Sequence, residues 1–265
     1  MALILNTRYD GSSFFELLKV DYPYLLPTYE KGFSLPIENA VPVSHGTTIL
    51  ALRYQEGVFI AGDRRAVEGH QISSKTMEKV YKTDDYSAIA IAGAAGPAMD
   101  MARLFQTELE HYEKIEGERL TLEGKANRLA QMIRQNLPAA FQGLIVIPIF
   151  AGYDLKRKEG RIFKYDVVGG KYEETDYYAT GSGGKDARNT MKKLYRKPLG
   201  EEEALKIVLE ALIDASEEDA GTGGPDIIRD IYPNVKKITE QGIADIPEAP
   251  IAEICKAIIE GRRNQ

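Results

Sequence analysis

Cysteine is nearly missing from this chain: Cys255 is the only one in 265 residues. No disulfide can close within the chain, and a single thiol suits a reducing compartment. Long apolar runs are missing too. None approaches the roughly 18 residues a membrane helix needs. Ala2-Leu3-Ile4-Leu5, ahead of Arg8 and Asp10, is too short for a signal sequence and lacks its basic start. A cytoplasmic protein without membrane contact is expected. The chain also lacks a basic stripe. Its net charge is −6, 28% of its residues are charged, and Lys and Arg are scattered, so the electrostatic footprint of a nucleic-acid binder is absent. The Gly-rich turns at 92–96 and 181–184 match neither the phosphate-loop pattern nor the dinucleotide fingerprint. A nucleotide-binding role would need measured ATP binding to revive it. The acidic triplet Glu201-Glu202-Glu203 suits a solvated helix start better than a metal site. No cofactor and no metal are expected.

Two regions of different character remain. Residues 1–46 carry Pro23, Pro27, Pro36 and Pro42 among Tyr, Gly and Ser, which would break regular structure repeatedly. They read as a detachable leader, and 47–265 as one domain, since apolar segments are spread evenly through it. Short β-rich runs at 48–54 and 58–61 flank Gln55-Glu56-Gly57 as a hairpin, and 86–92 reads as a buried strand. Helical spacing follows at Met101, Ala102, Phe105, Leu109 and Tyr112, then at Leu122, Ala126, Leu129, Ile133 and Leu137. Strand character returns at 144–153, 161–168 and 177–179, with Gly169-Gly170 as a turn. Helices are expected at 186–195 and 202–216, a late strand pair at 227–232 and 235–239, and a closing helix through Ile251, Cys255 and Ile258. Helices arriving in pairs argue for α+β layers rather than βαβ alternation: two sheets face to face with helices outside.

The junction between the regions is Ser44-His45-Gly46-Thr47-Thr48-Ile49-Leu50. A β-branched pair such as Thr47-Thr48 ordinarily just opens a strand. As an N-terminus, however, Thr47 would carry a hydroxyl and a free α-amine on one Cα, which is a nucleophile and its general base in one residue. An α-amine titrates near about 7.7 to 8.0, so about a tenth is neutral at pH 7. Within the chain the same nitrogen is an amide and no base.

Four further motifs fall in order behind this junction: Gly62-Asp63-Arg64-Arg65-Ala66, Glu78-Lys79-Val80-Tyr81, Ala92-Gly93-Ala94-Ala95-Gly96, and Asp219-Ala220-Gly221-Thr222-Gly223-Gly224-Pro225-Asp226. With the Gly-Thr-Thr start they resemble the β subunits of the 20S proteasome core particle from Thr47 to about Glu260. The Thr222–Asp226 segment and the long leader are most similar to the bacterial, actinobacterial-type subunits. The resemblance implies a four-layer αββα sandwich, the N-terminal-nucleophile hydrolase fold, and threonine endopeptidase activity. It implies Thr47 as nucleophile with Asp63 and Lys79 beside it. A Lys ammonium near the Thr amine disfavours its protonation, and one unit of lowering is worth about 1.4 kcal/mol. Asp63 would compensate the burial of that ammonium. The resemblance further implies Gly93 as an oxyanion donor through its backbone N–H, and Ser182, Asp219 and Thr222 as hydrogen-bonding groups around the α-amine. Thr222 stands where many relatives carry Ser, and Gly183-Gly184-Lys185 departs from the bulkier archaeal segment.

By the same resemblance Arg65, Ala66, Met77, Ile91, Ala95 and Met99 belong to the substrate pocket. The last five are apolar, which favours cleavage after hydrophobic or aromatic residues. Maturation is expected by attack of the Thr47 hydroxyl on the Gly46 carbonyl, with residues 1–46 removed as a propeptide and His45 discarded with it. The implied partners are proteasome α subunits and other β subunits in stacked seven-membered rings, an ATPase regulatory ring, and unfolded polypeptides, in some bacteria those tagged with prokaryotic ubiquitin-like protein. Alternatives are an ATP-dependent bacterial peptidase sharing the Thr-Thr start, whose relatives usually lack the leader and the Asp-Arg-Arg-Ala run, and a silent scaffolding subunit, which tends to lose the nucleophile or the lysine retained here.

Overall fold

A computed structural model describes residues 46–263. Apart from Gly46, the leader expected over 1–46 lies outside the described residues.

The chain opens with β1 (Thr48–Tyr54) and β2 (Gly57–Gly62), joined by the expected tight hairpin. A small hairpin follows, β3 (Ala66–Glu68) and β4 (Gln71–Ser74), and then β5 (Val80–Asp84) and β6 (Ser87–Gly93). Helices α1 (Ala95–Glu116), α2 (Leu122–Gln135) and the single turn α3 (Leu137–Ala140) lead to β7 (Val146–Asp154), β8 (Glu159–Tyr165), β9 (Lys171–Glu174) and β10 (Tyr177–Gly181). Then come α4 (Gly184–Leu194), α5 (Glu201–Glu218), β11 (Asn234–Thr239), β12 (Gly242–Asp245) and α6 (Glu248–Arg263). Two five-stranded antiparallel sheets result, ordered β10-β1-β2-β11-β12 and β5-β6-β7-β8-β9.

Period-two patterning assigns each face of the strands. On β1, Ile49 and Ala51 join the cluster between the sheets, whereas Leu50, Leu52 and Tyr54 point to the cluster shared with α4, α5 and α6. On β6, Ala88, Ala90 and Ala92 face the other sheet, while Ile89 and Ile91 pack with Met101 and Phe105 of α1 and Leu129 of α2. Three apolar layers therefore separate four structural layers, helices, sheet, sheet, helices, as expected. Among the described residues no helix is long and apolar enough to cross a membrane.

Three expectations need correction. Residues 227–232 are not a strand: only an isolated bridge joins Asp226 to Ile231, and Asp230 takes a left-handed φ of 52°. Pro233, which has no N–H to give a ladder, follows at once. The true partners of β11 are β2 and β12. The second helix stops at Gln135 instead of reaching Leu137, because Pro138 cannot continue the ladder and a separate turn begins. The strand expected to run to Val168 ends at Tyr165, where the Asp166 carboxylate accepts from Val168 and Gly170 backbone N–H groups and bends the chain.

Strand register then collects the chemically loaded ends. Thr48 pairs with Gly181 and Ile49 with Gly62, and Gly62 also pairs with Asn234. The start of β1, the end of β2 and the end of β10 are thus neighbours at one end of the first sheet.

Candidate active site

Asp63 follows directly on β2 and is fully buried, and Lys79 precedes β5 with 3% of its surface exposed. Lys79 Nζ donates to Asp63 Oδ1 at 2.6 Å and to the Arg65 carbonyl at 2.6 Å. Asp63 is held from three further directions: the Thr48 N–H reaches Oδ1 at 2.8 Å, and the N–H groups of Arg65 and Gly223 each reach Oδ2 at 2.9 Å. Such a carboxylate is fixed in orientation and well compensated for its burial. Burial lowers the pKa of Lys79 below its ordinary value, and the attraction of Asp63 opposes that lowering.

Thr47 is 6% exposed. Its amide N–H donates to Ser182 Oγ at 3.2 Å, and its hydroxyl donates to the Gly46 carbonyl at 2.7 Å. The Ser182 N–H in turn donates to the Thr47 carbonyl at 2.9 Å. Asp219, at the C-terminal end of α5, accepts at Oδ2 from the Ser182 and Thr222 hydroxyls, each at 2.5 Å, and at Oδ1 from the Gly221 N–H at 3.2 Å. Thr47, Ser182, Asp219 and Thr222 therefore form one hydrogen-bonded group, and Asp63 with Lys79 a second. Thr48 touches both.

Gly93 ends β6 with φ of 117°, a left-handed value that suits glycine, and a Cβ there would lie 2.1 Å from the Ile145 carbonyl oxygen. Among the described residues no hydrogen bond joins Gly93 to either group. Its strand is tied to Lys79 two residues back, where the Ile91 N–H donates to the Lys79 carbonyl at 3.0 Å. Of the residues expected around the substrate pocket, Ala66 opens β3 and the Met77 N–H donates to the Arg64 carbonyl at 3.0 Å. Ile91 is buried against α1 and α2, while Ala95 and the partly exposed Met99 lie in the first turns of α1. The Arg65 guanidinium donates to the Ala220 carbonyl at 3.0 Å.

Sequence reasoning missed two members of this region. Thr48 was read only as the start of a strand, yet its hydroxyl lies 2.6 Å from that of Thr222 and accepts from the Gly183 N–H at 2.9 Å. Gly221 was one glycine among several, yet a Cβ on it would sit 2.4 Å from the Gly46 Cα, and one on Gly46 would sit 2.3 Å from the Gly221 Cα. The two glycines meet backbone to backbone over the Gly46–Thr47 bond. The only signal for the contact is a Gly at each end of a tertiary approach that no local pattern announces.

The arrangement can do two things. It holds a hydroxyl beside the carbonyl that precedes it, and it sets Ser182 Oγ on the adjacent nitrogen with Asp219 and Thr222 behind, one residue from a backbone N–H that binds the buried ion pair. The proteasome subunit family model matches residues 43–229. A proteasome subunit beta from Streptomyces griseus is 52% identical over 256 residues, covering 96% of this chain and 90% of that protein. One from Acidimicrobium ferrooxidans is 52% identical over 263 residues, covering 99% and 94%, and one from Frankia casuarinae is 48% identical over 251 residues, covering 95% and 90%.

Proposed function

We propose, from the premise that this chain belongs to the proteasome subunit family, that Thr47 is its nucleophile and becomes an N-terminus when the chain severs its own Gly46–Thr47 bond. As a β-type member of that family it is a threonine endopeptidase of the proteasome core. The observation that carries the Thr47 assignment is the 2.7 Å contact between the Thr47 hydroxyl and the Gly46 carbonyl.

In maturation, Thr47 Oγ1 attacks the Gly46 carbonyl carbon, the C–N bond breaks, and the hydroxyl proton passes to the departing nitrogen. Water then hydrolyses the ester, leaving a Gly46 carboxylate and a Thr47 with free amine and free hydroxyl. That amine becomes the base for peptide substrates: it takes the hydroxyl proton as Oγ1 attacks and returns it to the leaving amine. Lys79 supplies positive potential that favours the neutral amine, and Asp63 keeps Lys79 charged and in place. Ser182 accepts an N–H from the nitrogen, with Asp219 and Thr222 behind it. The Gly93 N–H serves the oxyanion, a donor whose loss typically costs about a hundredfold to a thousandfold.

The domain division follows: 1–46 is the propeptide and 47–265 the catalytic domain. Co-expression with an α-type subunit, followed by intact mass and N-terminal sequencing, tests it. A mature chain starting at Thr47 is the expected result, and an active chain starting elsewhere overturns the assignment.

The Gly46–Gly221 approach supports a second expectation. Gly221→Ala adds a methyl where the Gly46 Cα already lies, so backbone must shift at the scissile bond, and processing of the precursor should slow at least tenfold. Mass spectrometry over a time course reads this directly, and processing at the normal rate would count against the role of the contact.

The apolar residues Ala66, Met77, Ile91, Ala95 and Met99 support preference for hydrophobic or aromatic P1 residues, since a charged side chain buried among them would go unpaired. Peptides ending in Tyr or Leu at P1 should be cut at least tenfold faster than those ending in Asp or Lys, and faster cleavage after basic residues would displace the pocket assignment. The same family relationship supports assembly with α subunits into a proteasome core, and the reading extends to stacked rings with further β subunits and to an ATPase ring delivering unfolded polypeptides. In hosts that use it, a small protein tag would mark those substrates.

A further inference from the structure

We infer that Thr48 is a positioning residue for the chemistry at Thr47: its side-chain hydroxyl completes a buried hydroxyl chain that Asp219 directs, and braces Thr222 on the carboxylate oxygen it shares with Ser182, the acceptor facing the Thr47 nitrogen. This rests on the reading of Thr47 as nucleophile.

Counting protons fixes the direction. Thr222 Oγ1 lies 2.5 Å from Asp219 Oδ2 and 2.6 Å from Thr48 Oγ1. An ionised carboxylate only accepts, and a hydroxyl has one proton, so Thr222 gives its proton to Asp219. The donor between the two threonines is then Thr48. Thr48 Oγ1 is itself an acceptor, from the Gly183 N–H at 2.9 Å. Gly183 N–H to Thr48, Thr48 to Thr222, and Thr222 to Asp219 thus form one directed series, in which each bond polarises the next. Ser182 Oγ, 2.5 Å from the same Asp219 Oδ2, spends its proton there as well. What it has left for the Thr47 nitrogen, 3.2 Å away, is a lone pair. The nitrogen must donate to it, so the lone pair of a liberated amine is turned away from Ser182.

Thr48 and Thr222 are both 0% exposed, so solvent cannot replace a missing partner. Removing the Thr48 hydroxyl strands the Gly183 N–H and leaves Thr222 without its incoming donor. Thr222 and Ser182 share one carboxylate oxygen, so a change at Thr222 reaches the nitrogen through Asp219. The Thr48 backbone N–H, which holds Asp63 at 2.8 Å, is untouched by a side-chain substitution. The effect therefore isolates the hydroxyl.

The test uses assembled particles co-expressed with an α subunit and a fluorogenic peptide with a hydrophobic P1. Thr48→Val keeps the shape and removes the hydroxyl. It should lower kcat about ten- to a hundredfold with KM within about twofold, and Thr48→Ser should restore kcat to within about threefold of the parent. Parental kcat in Thr48→Val, a loss confined to KM, or a Thr48→Ser as slow as Thr48→Val would each overturn the inference. If Thr48→Val does not assemble, Thr48→Ser against Thr48→Ala decides: a fast Ser variant beside a slow Ala variant supports it, and equal rates overturn it. Thr47→Ala, run alongside, separates the two levels. Activity persisting there removes the nucleophile reading and this inference with it, whereas an inert Thr47→Ala beside a fully active Thr48→Val removes only the role of Thr48.

Discussion

Thr47→Ala is expected to accumulate as a chain that keeps residues 1–46 and hydrolyses no peptide above background. Two separate losses combine. Without the hydroxyl nothing attacks the Gly46 carbonyl, whose oxygen in the parent accepts from that hydroxyl at 2.7 Å, and the peptide bond persists. Because the bond persists, the nitrogen at position 47 stays an amide, and the general base never forms. The fall in kcat should be on the order of a millionfold, as for removal of the nucleophile in other covalent hydrolases. Supplying the variant without its leader should not help, since the freed amine would have no hydroxyl to deprotonate. Intact mass and peptide turnover check both halves, and a processed or active Thr47→Ala chain would refute the mechanism.

The second large effect concerns the buried pair beneath the site, and its two partners should not behave alike. Asp63→Ala removes the acceptor for four donors at once: Lys79 Nζ and the N–H groups of Thr48, Arg65 and Gly223. It also leaves the Lys79 ammonium 3% exposed without its counter-charge. Breaking a buried pair in this way costs about 3–5 kcal/mol. Lys79→Met instead leaves Asp63 with three backbone donors and fills most of the lysine's volume, so a smaller loss of about 1–3 kcal/mol is expected. Activity should fall about a hundredfold to ten-thousandfold in both, because the amine loses the positive potential that keeps it neutral. Denaturant midpoints on assembled particles separate the variants, and equal destabilisation would contradict the asymmetry of the hydrogen bonding. The lowered pKa of Lys79 carries its own signature. Between that lowered value and the ordinary 10.5 the unfolded chain binds more protons than the folded one, so this group's contribution to stability rises with pH across that window. Lys79→Met should abolish that rise.

Much of this molecule is legible in its residues, and the reasons are physical. Strands with strong alternation or full burial, such as β1, β2, β6 and β7, announce themselves, as do helices with a wide apolar stripe. What escaped was polar and local. β9, Lys171–Glu174, has no apolar alternation and pairs at the edge of its sheet, and the β3–β4 hairpin is largely exposed. The run Ile227-Ile228 looked like a strand because of its β-branched pair, yet Ile228 is almost wholly exposed on a turn closed by the Asp226 carboxylate. In the site, Thr47, Asp63, Lys79 and Asp219 stand in motifs with recognisable order. Thr48 and Gly221 stand in the same motifs, but their parts there are not legible, because their importance comes from what a distant segment brings against them, which a linear pattern does not encode.

Before the Gly46–Thr47 bond breaks, the ion pair is already closed and Ser182 already meets the nitrogen. On the proposed assignment, dormancy among the described residues is then covalent: the nitrogen at position 47 is an amide where an amine belongs. Activation cannot be undone by refolding: once the ester formed by acyl transfer is hydrolysed, the onset of activity runs in one direction.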